Sequence, residues 1–467
     1  MSGSTTGPAQ PVLDVSRAID SGKWTRHQTL VVALAALVVV LDGFDNQLLG
    51  FSIPQISQEF GTDRGAFSWI LAAGYVGVAI GTAVGGLLGD RIGRKYALVA
   101  AVVLFGTTTL AVAAAPDMLV LGILRALAGV GLGMVFPAVA SIVAEYVPLT
   151  KRSLSVALTI VCVPVGGLVG GLIAAEILPS LGWRALFASG GAAPLVLAVV
   201  IFFALRESLL FLVSRGRDSD MELVRAGLVR LGHRVDPGAT LIARENNDVE
   251  RGSFRELLGP VYRRDSLALW AAFFFSLMGV FAFYSWGPSL FVDSGFDLAF
   301  ASRSISVYNL GGITLALLAA WAMTRYGSKA TLIAMALGAG ITGAWMFVVQ
   351  PSPGGSTIVL IVQLVLHGGF FAGLQTVLYS LAAQVYPSNI RATGVGACGS
   401  VGRAGAIFAS FAGATLLAAG GGVFYLMLAI AGVMVALALL AVKRHTPAMR
   451  SVRATEESRS TETPVAQ

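Results

Sequence analysis

Gly89-Asp90-Arg91-Ile92-Gly93-Arg94-Lys95 breaks an apolar reach of the chain with four charges, and 234 residues later Met323-Thr324-Arg325-Tyr326-Gly327-Ser328-Lys329 does much the same. A second echo follows, since Tyr146, Pro148 and Arg152 are matched by Tyr386, Pro387 and Arg391 at offsets of 239–240. Near-constant offsets over such distances indicate two parallel copies of one unit. The expectation is an all-α membrane protein of two six-helix halves, with any ligand site at their interface.

Composition agrees. The 467 residues are 56% hydrophobic and 12% charged, where a soluble chain carries about 25% charged residues. Twelve apolar stretches are long enough to span a bilayer: 28–53, 67–88, 96–115, 118–142, 154–177, 183–205, 267–291, 303–324, 329–349, 357–381, 392–418 and 421–442. Residues 1–27 form a polar N-terminal tail, and the apolar run after them is too long for a signal-peptide core, so no cleavable signal is expected. The first half then covers 28–205, a linker 206–265, the second half 266–442 and a tail 443–467. The linker holds eleven Lys/Arg and ten Asp/Glu, with an amphipathic helix expected near Asp220–Leu231.

Basic residues orient the chain. With the N-terminus inside, 27 of the 32 Lys and Arg lie in inner segments, while the outer loops hold only Arg64, Arg184 and Arg303. Both termini are therefore expected in the cytoplasm, in a multi-pass protein of the bacterial inner membrane. The net charge of +7 comes without an Arg-rich, aromatic-interleaved stripe, so no nucleic acid partner is expected. Cys162 and Cys398 both fall in apolar stretches, which implies neither a disulfide framework nor a metal site. No nucleophile–base pair is visible, so an enzyme is not expected, nor any cofactor beyond protons, and the chain is expected to act as a monomer.

Charges inside the apolar spans carry the functional reading. A carboxylate near the middle of a spanning helix costs about 2.5–3.5 kcal/mol on insertion scales. Asp42-Gly43-Phe44-Asp45 holds two of them on nearly one helix face. They read as a proton or ion coupling site, or else as a polar hub that holds neighbouring helices. With a rise of about 1.5 Å per residue, Asp42 and Arg403 each fall about 18 Å from the inner face and Arg125 about 20 Å. Arg125 is placed to neutralise Asp42 or Asp45 when the proton is absent. Arg403 is placed to grip a substrate carboxylate bidentately, or else to pair with an acid of the other half.

Asn46 extends the Asp42 face by one turn. His367, Gln375 and Tyr379 are candidates to hydrogen-bond a ring hydroxyl, and Tyr284, Trp286 and Phe281 to stack on a ring. The plainer reading of each is helix packing or lipid contact. Gly77, Gly81, Gly85 and Gly89, with Gly394, Gly396, Gly399, Gly402 and Gly405, are expected to let the halves slide. Asp90, Arg94, Glu145 and Arg152 form a candidate ion-pair latch on the inner gate, with Arg391 as a second-half gating residue.

The sequence resembles the major facilitator superfamily, and within it the aromatic acid:proton symporter family, over nearly all of 25–445. Asp90–Lys95 marks the superfamily. More specific are Asp42-Gly43-Phe44-Asp45, Glu145-Tyr146-Val147-Pro148, Tyr386-Pro387 with Ile390-Arg391-Ala392-Thr393-Gly394-Val395-Gly396, and Gly402-Arg403-Ala404-Gly405-Ala406-Ile407. The resemblance implies proton-driven import of a small aromatic carboxylate such as a hydroxybenzoate, by alternating access, with the matching charged positions needed for transport. Departures at Phe136-Pro137-Ala138, Thr324, Arg206-Glu207-Ser208-Leu209 and Ser285-Trp286 bear on the substrate and not on the class. Two alternatives remain at this point. A proton-coupled exporter would carry Gly-x-x-x-Gly-Pro in the fifth span, where Ile160-Val161-Cys162-Val163-Pro164-Val165 stands. A membrane receptor for such acids would need a larger soluble domain.

Overall fold

Thr25 and Gln28 set the start of the first long helix. The Gln28 backbone N–H donates to Thr25 Oγ1 at 3.3 Å and the Thr25 N–H donates to Gln28 Oε1 at 2.8 Å, a reciprocal cap that satisfies two otherwise orphaned donors. The structure, a computed structural model, describes residues 12–233, 235–236, 238–243, 253–387 and 389–444. In chain order come β1 (Val12–Asp14), α1 (Val15–Ser21), α2 (Arg26–Phe60), α3 (Ser68–Ile92) after a short 3-10 turn, α4 (Arg94–Val112), α5 (Met118–Tyr146) and α6 (Leu149–Ala204). The linker supplies α7 (Leu209–Arg215), α8 (Asp218–Arg230), β2 (Thr240–Ile242) and α9 (Phe254–Leu257). The rest is α10 (Arg263–Asp293), α11 (Leu298–Tyr326), α12 (Ser328–Val348), α13 (Thr357–Val385), α14 (Arg391–Ala418) and α15 (Gly421–Ala441).

Among the described residues, eleven helices are long and apolar enough to cross a membrane: α2 to α6 and α10 to α15. α6 is exceptional at 56 residues. At about 1.5 Å per residue that is about 84 Å, against a hydrocarbon core of about 30 Å. Gly182 interrupts it with φ 77 and ψ 176, a conformation that side chains other than glycine rarely adopt. The expected spans 154–177 and 183–205 fall on either side of this glycine.

The repeat seen in the sequence is written into the backbone. Gly93 (φ 104, ψ 158) and Gly327 (φ 87, ψ 156) turn consecutive helices in one conformation. Gly182 and Gly420 (φ 115, ψ 148) form a second such pair. Side-chain-free contacts recur at the same offsets. A Cβ on Gly77 would strike the Ala126 carbonyl of α5, and one on Gly311 the Val365 carbonyl of α13. Gly129 meets Gly74 from the other side, as Gly368 meets Tyr308.

These contacts correct one expectation. Gly77, Gly81 and Gly85 pack on α5 within the first half, and Gly402 and Gly405 on α10 within the second. They weld each half together and do not lie where the halves slide. The glycines at the interface are instead Gly50, against Tyr284, and Gly167 and Gly171, against Asn309 and Ser306.

The N-terminal tail and the linker fold together. β1 pairs with β2 in parallel, Val12 opposite Thr240. Val15, Ile19, Leu212, Val224, Leu228 and Leu241 bury against one another in a small core of their own. Asp20 receives a hydrogen bond from Arg152 at 2.5 Å. Glu207 accepts from the backbone of Arg94 at 2.8 Å and of Lys95 at 3.2 Å. Burial pushes the Glu207 carboxyl up from its ordinary value, and those backbone donors oppose the shift. Asp20 and Glu207 fasten this small core to the first half, while α9 packs on the second, with Phe254 stacked on Trp270.

Forcing a side chain between backbones in contact costs about 1–3 kcal/mol. Gly77→Val and its counterpart Gly311→Val should therefore each lower the melting temperature in detergent, while Gly86→Ala, with open space around its Cβ, should not. Equal melting of all three would show that these helices are not in backbone contact.

Candidate functional site

α2, α4 and α5 converge on Asp45, which is fully buried. Arg125 Nη1 donates to Asp45 Oδ2 at 2.9 Å and Nη2 to the Asp45 carbonyl at 3.3 Å. Thr109 Oγ1 donates to Asp45 Oδ1 at 2.5 Å. The Phe187 ring lies 5.8 Å from the guanidinium carbon, adding a cation–π contact. Both carboxylate oxygens are occupied, so a buried charge is neutralised in place.

Asp42, one turn away, is in a different state. It is 1% exposed, and its Oδ2 has no hydrogen-bond partner. Asn46 Nδ2 donates to the Asp42 carbonyl at 2.8 Å. Arg403 approaches from the second half, with Asp42 and Tyr379 as its electrostatic neighbours. It is half-buried and has no ion pair or hydrogen bond among the described residues. An acid and a base thus face each other across the two halves without closing on each other. Asn46, Tyr75 and Arg125 line a small cleft within the first half, between α2, α3 and α5.

The bonds that join the halves all lie from this level to the face away from the linker. Asn309, whose Oδ1 accepts from Tyr284 of its own half at 2.8 Å, donates across from Nδ2 to Gln47 Oε1 at 3.2 Å. Tyr75 and Ser285 share a hydrogen bond of 3.0 Å, and Ser306 donates to the Leu168 carbonyl at 2.7 Å. Farther out, Arg64 pairs with Asp293, and Arg303 with Glu176 at 2.7 Å. No hydrogen bond or ion pair joins the halves on the linker side among the described residues. Among the described residues, the bonds between the halves are therefore confined to this level and the side away from the linker.

That arrangement corrects the expected latch. Arg94 pairs with Asp90 at 3.0 Å and Glu145 at 2.7 Å, but Arg152 lies apart, drawn to Asp20 of the folded tail. Arg391 donates to the Tyr386 carbonyl at 3.3 Å and Arg152 to the Val147 carbonyl at 3.2 Å, so each ties down its own half. None of these residues bridges to the other half here.

The remaining candidates divide. His367 is wholly buried among Phe283, Tyr308 and Phe371, and its Nδ1 shares a hydrogen bond with Thr342. Trp286 is wholly buried against Gly413. Both sit in the core of the second half, away from Asp42, because apolar neighbours enclose them. Tyr284 is committed to the Asn309 bridge, with the Phe281 ring between it and Tyr75. Tyr379 packs edge-on to Phe273 beside Arg403, and Gln375 lies one turn along α13. Sequence reasoning missed Thr109, Gln47, Asn309 and Tyr75. A lone hydroxyl or amide in an apolar span is a weak signal until its partner is known.

Two repeated helical halves with ionisable groups between them define a membrane transporter. The model of the Major Facilitator Superfamily matches residues 35–352 and 293–466, and the chain belongs to that superfamily. A gallate transporter of Pseudomonas putida is 33% identical over 437 residues, 93% of this chain and 96% of that protein. The 4-hydroxybenzoate transporter PcaK of Pseudomonas aeruginosa is 37% identical over 420 residues, 88% and 91% of the two chains. The xylose transporter XylE of Escherichia coli, in a partially occluded inward-open conformation, shares the fold with a TM-score of 0.70 at 19% identity, over 90% of this chain and 99% of that one. The protein is thus a multi-pass protein of the inner membrane.

Removing one member of a buried ion pair costs about 3–5 kcal/mol, because the other charge is stranded. Arg125→Gln should melt well below the unmutated protein, and Asp45→Asn/Arg125→Gln should recover most of the loss. A double variant no more stable than the single one would show that the pair does not neutralise itself.

Proposed function

We propose that this protein imports an aromatic carboxylate together with a proton by alternating access, through twelve crossings with both termini in the cytoplasm. Gly182, as the counterpart of Gly420, supports reading α6 as two crossings. The concentration of basic residues on the linker side supports a cytoplasmic linker, which makes the conformation inward-facing. Relatives named for gallate and 4-hydroxybenzoate transport support the substrate class. The scheme needs no cofactor, and one chain carries all of it.

The observation that carries the coupling is the contrast between the two acids. Asp45 is held by Arg125 and Thr109, whereas Asp42 has a free oxygen opposite a free Arg403. Ionised Asp42 competes with a substrate anion for the Arg403 guanidinium. Protonated Asp42 releases Arg403, whose planar fork matches a carboxylate. Proton binding therefore favours substrate binding, and release of the proton to the cytoplasm favours release of the substrate. Uptake of the anion alone would oppose an inside-negative potential by about 2.3 kcal/mol per 100 mV. One proton per anion removes that load.

Uptake of labelled aromatic and aliphatic acids into liposomes holding the protein tests the scheme. A pH gradient at zero potential should drive accumulation of the aromatic acids. Asp42→Asn should lose accumulation but keep exchange of internal for external substrate, because the amide mimics the protonated acid. Concentrative uptake by Asp42→Asn would remove Asp42 from the coupling. Arg403→Lys keeps the charge but loses the fork, so the affinity for the acid should fall about ten- to a hundredfold. Unchanged affinity would place the carboxylate elsewhere.

A further inference from the structure

A cavity of about 180 Å³ lies where the folded tail and linker meet the first half. Ile19, Leu209 and Leu231 give it an apolar wall, opposite His27 at the start of α2 and Tyr146 at the end of α5. A cavity of about 150 Å³ is enough for a benzene ring. Its charged residues are Glu145, Glu207, Arg206 and Arg230. The acids are engaged and the bases are not. Glu145 Oε1 accepts from Arg94 at 2.7 Å. Glu207 Oε1 accepts from the backbone N–H groups of Arg94, Lys95 and Ser208, and its Oε2 lies against Gly93, 2.2 Å from where a Cβ would stand. The guanidinium groups of Arg206 and Arg230 have no hydrogen bond or ion pair among the described residues, and Arg230 has His27 as an electrostatic neighbour. Nearby Arg152, Arg215 and Arg225 are by contrast spent on Asp20, on Asp220 and on backbone carbonyls. One acceptor is left over, since Glu145 Oε2 is buried without a partner. Two free guanidinium groups, an apolar wall and a single orphaned acceptor describe an anion with an apolar body and a hydroxyl.

We propose that this cavity is a second binding site, separate from the one between the halves, for a hydroxylated aromatic carboxylate. The carboxylate goes to Arg206 and Arg230, whose planar forks match it. The ring lies against Tyr146 and the apolar wall, and the phenolic O–H donates to Glu145 Oε2. A ligand held there joins the linker to the end of α5, the helix that carries Arg125. The choice of an aromatic acid as ligand rests on the transport reading, whereas the cavity and its free cations do not depend on it.

Equilibrium dialysis of the purified full-length protein against labelled 4-hydroxybenzoate should find two equivalents bound per chain. Arg206→Gln/Arg230→Gln should weaken one of them at least about tenfold, and Arg403→Ala should weaken the other. Leu231→Trp, which fills the cavity and keeps both charges, should lose the same equivalent as the double variant. Acetate carries the charge without the ring and should displace neither. Two equivalents that survive both Arg206→Gln/Arg230→Gln and Leu231→Trp overturn the proposal, as does displacement of the second equivalent by acetate. A single equivalent lost only in Arg403→Ala also overturns it and leaves the transport reading intact. A single equivalent lost only in Arg206→Gln/Arg230→Gln upholds this site and removes Arg403 from substrate binding.

Discussion

A carboxylate withdrawn from water must be neutralised, and the first half is organised around doing so for Asp45. Three helices supply the acid, the guanidinium and the hydroxyl, so their depth and rotation relative to one another are set by that one contact. Asp42 shares the helix and the burial but lacks a bonded cation. The same chemistry one turn apart therefore meets two surroundings: one carboxylate with both oxygens hydrogen-bonded and one with an oxygen left unpartnered.

Rigid halves are what make such a difference usable. Glycines bring α3 onto α5 and α11 onto α13 until backbones touch, and protein interiors packed this closely shift between discrete arrangements more readily than they deform. Movement is left to the surface between the halves. There the bonds of Asn309 to Gln47 and of Tyr75 to Ser285 tie the far side, while the linker side is free of such bonds among the described residues. Arg403 of the second half has Asp42 of the first as an electrostatic neighbour.

The folded tail and linker add an asymmetry to this two-fold plan. The pairing of β1 with β2 gathers the polar segments onto the first half, and Arg152 and Glu207 fasten the cap there. Arg391, the counterpart of Arg152, has only the Tyr386 carbonyl as a hydrogen-bond partner among the described residues. The repeat is thus faithful inside the membrane-length helices and broken outside them.

The sequence alone determined the helical class, the internal two-fold repeat and the buried acids, because each is a local property of spacing and hydropathy. Asp42, Asp45, Arg125 and Arg403 stood out because a charge in an apolar span is costly wherever the helix ends up. Only the tertiary structure decided which acid Arg125 takes, that Thr109 completes the pair, and that Arg403 remains free. It also decided that Arg152 turns to Asp20, and that the expected sliding glycines weld each half internally. Those outcomes depend on helix rotation: a residue's neighbours across a bundle change with every 100° step along the helix, and the apolar spans are too uniformly hydrophobic to reveal which face is which.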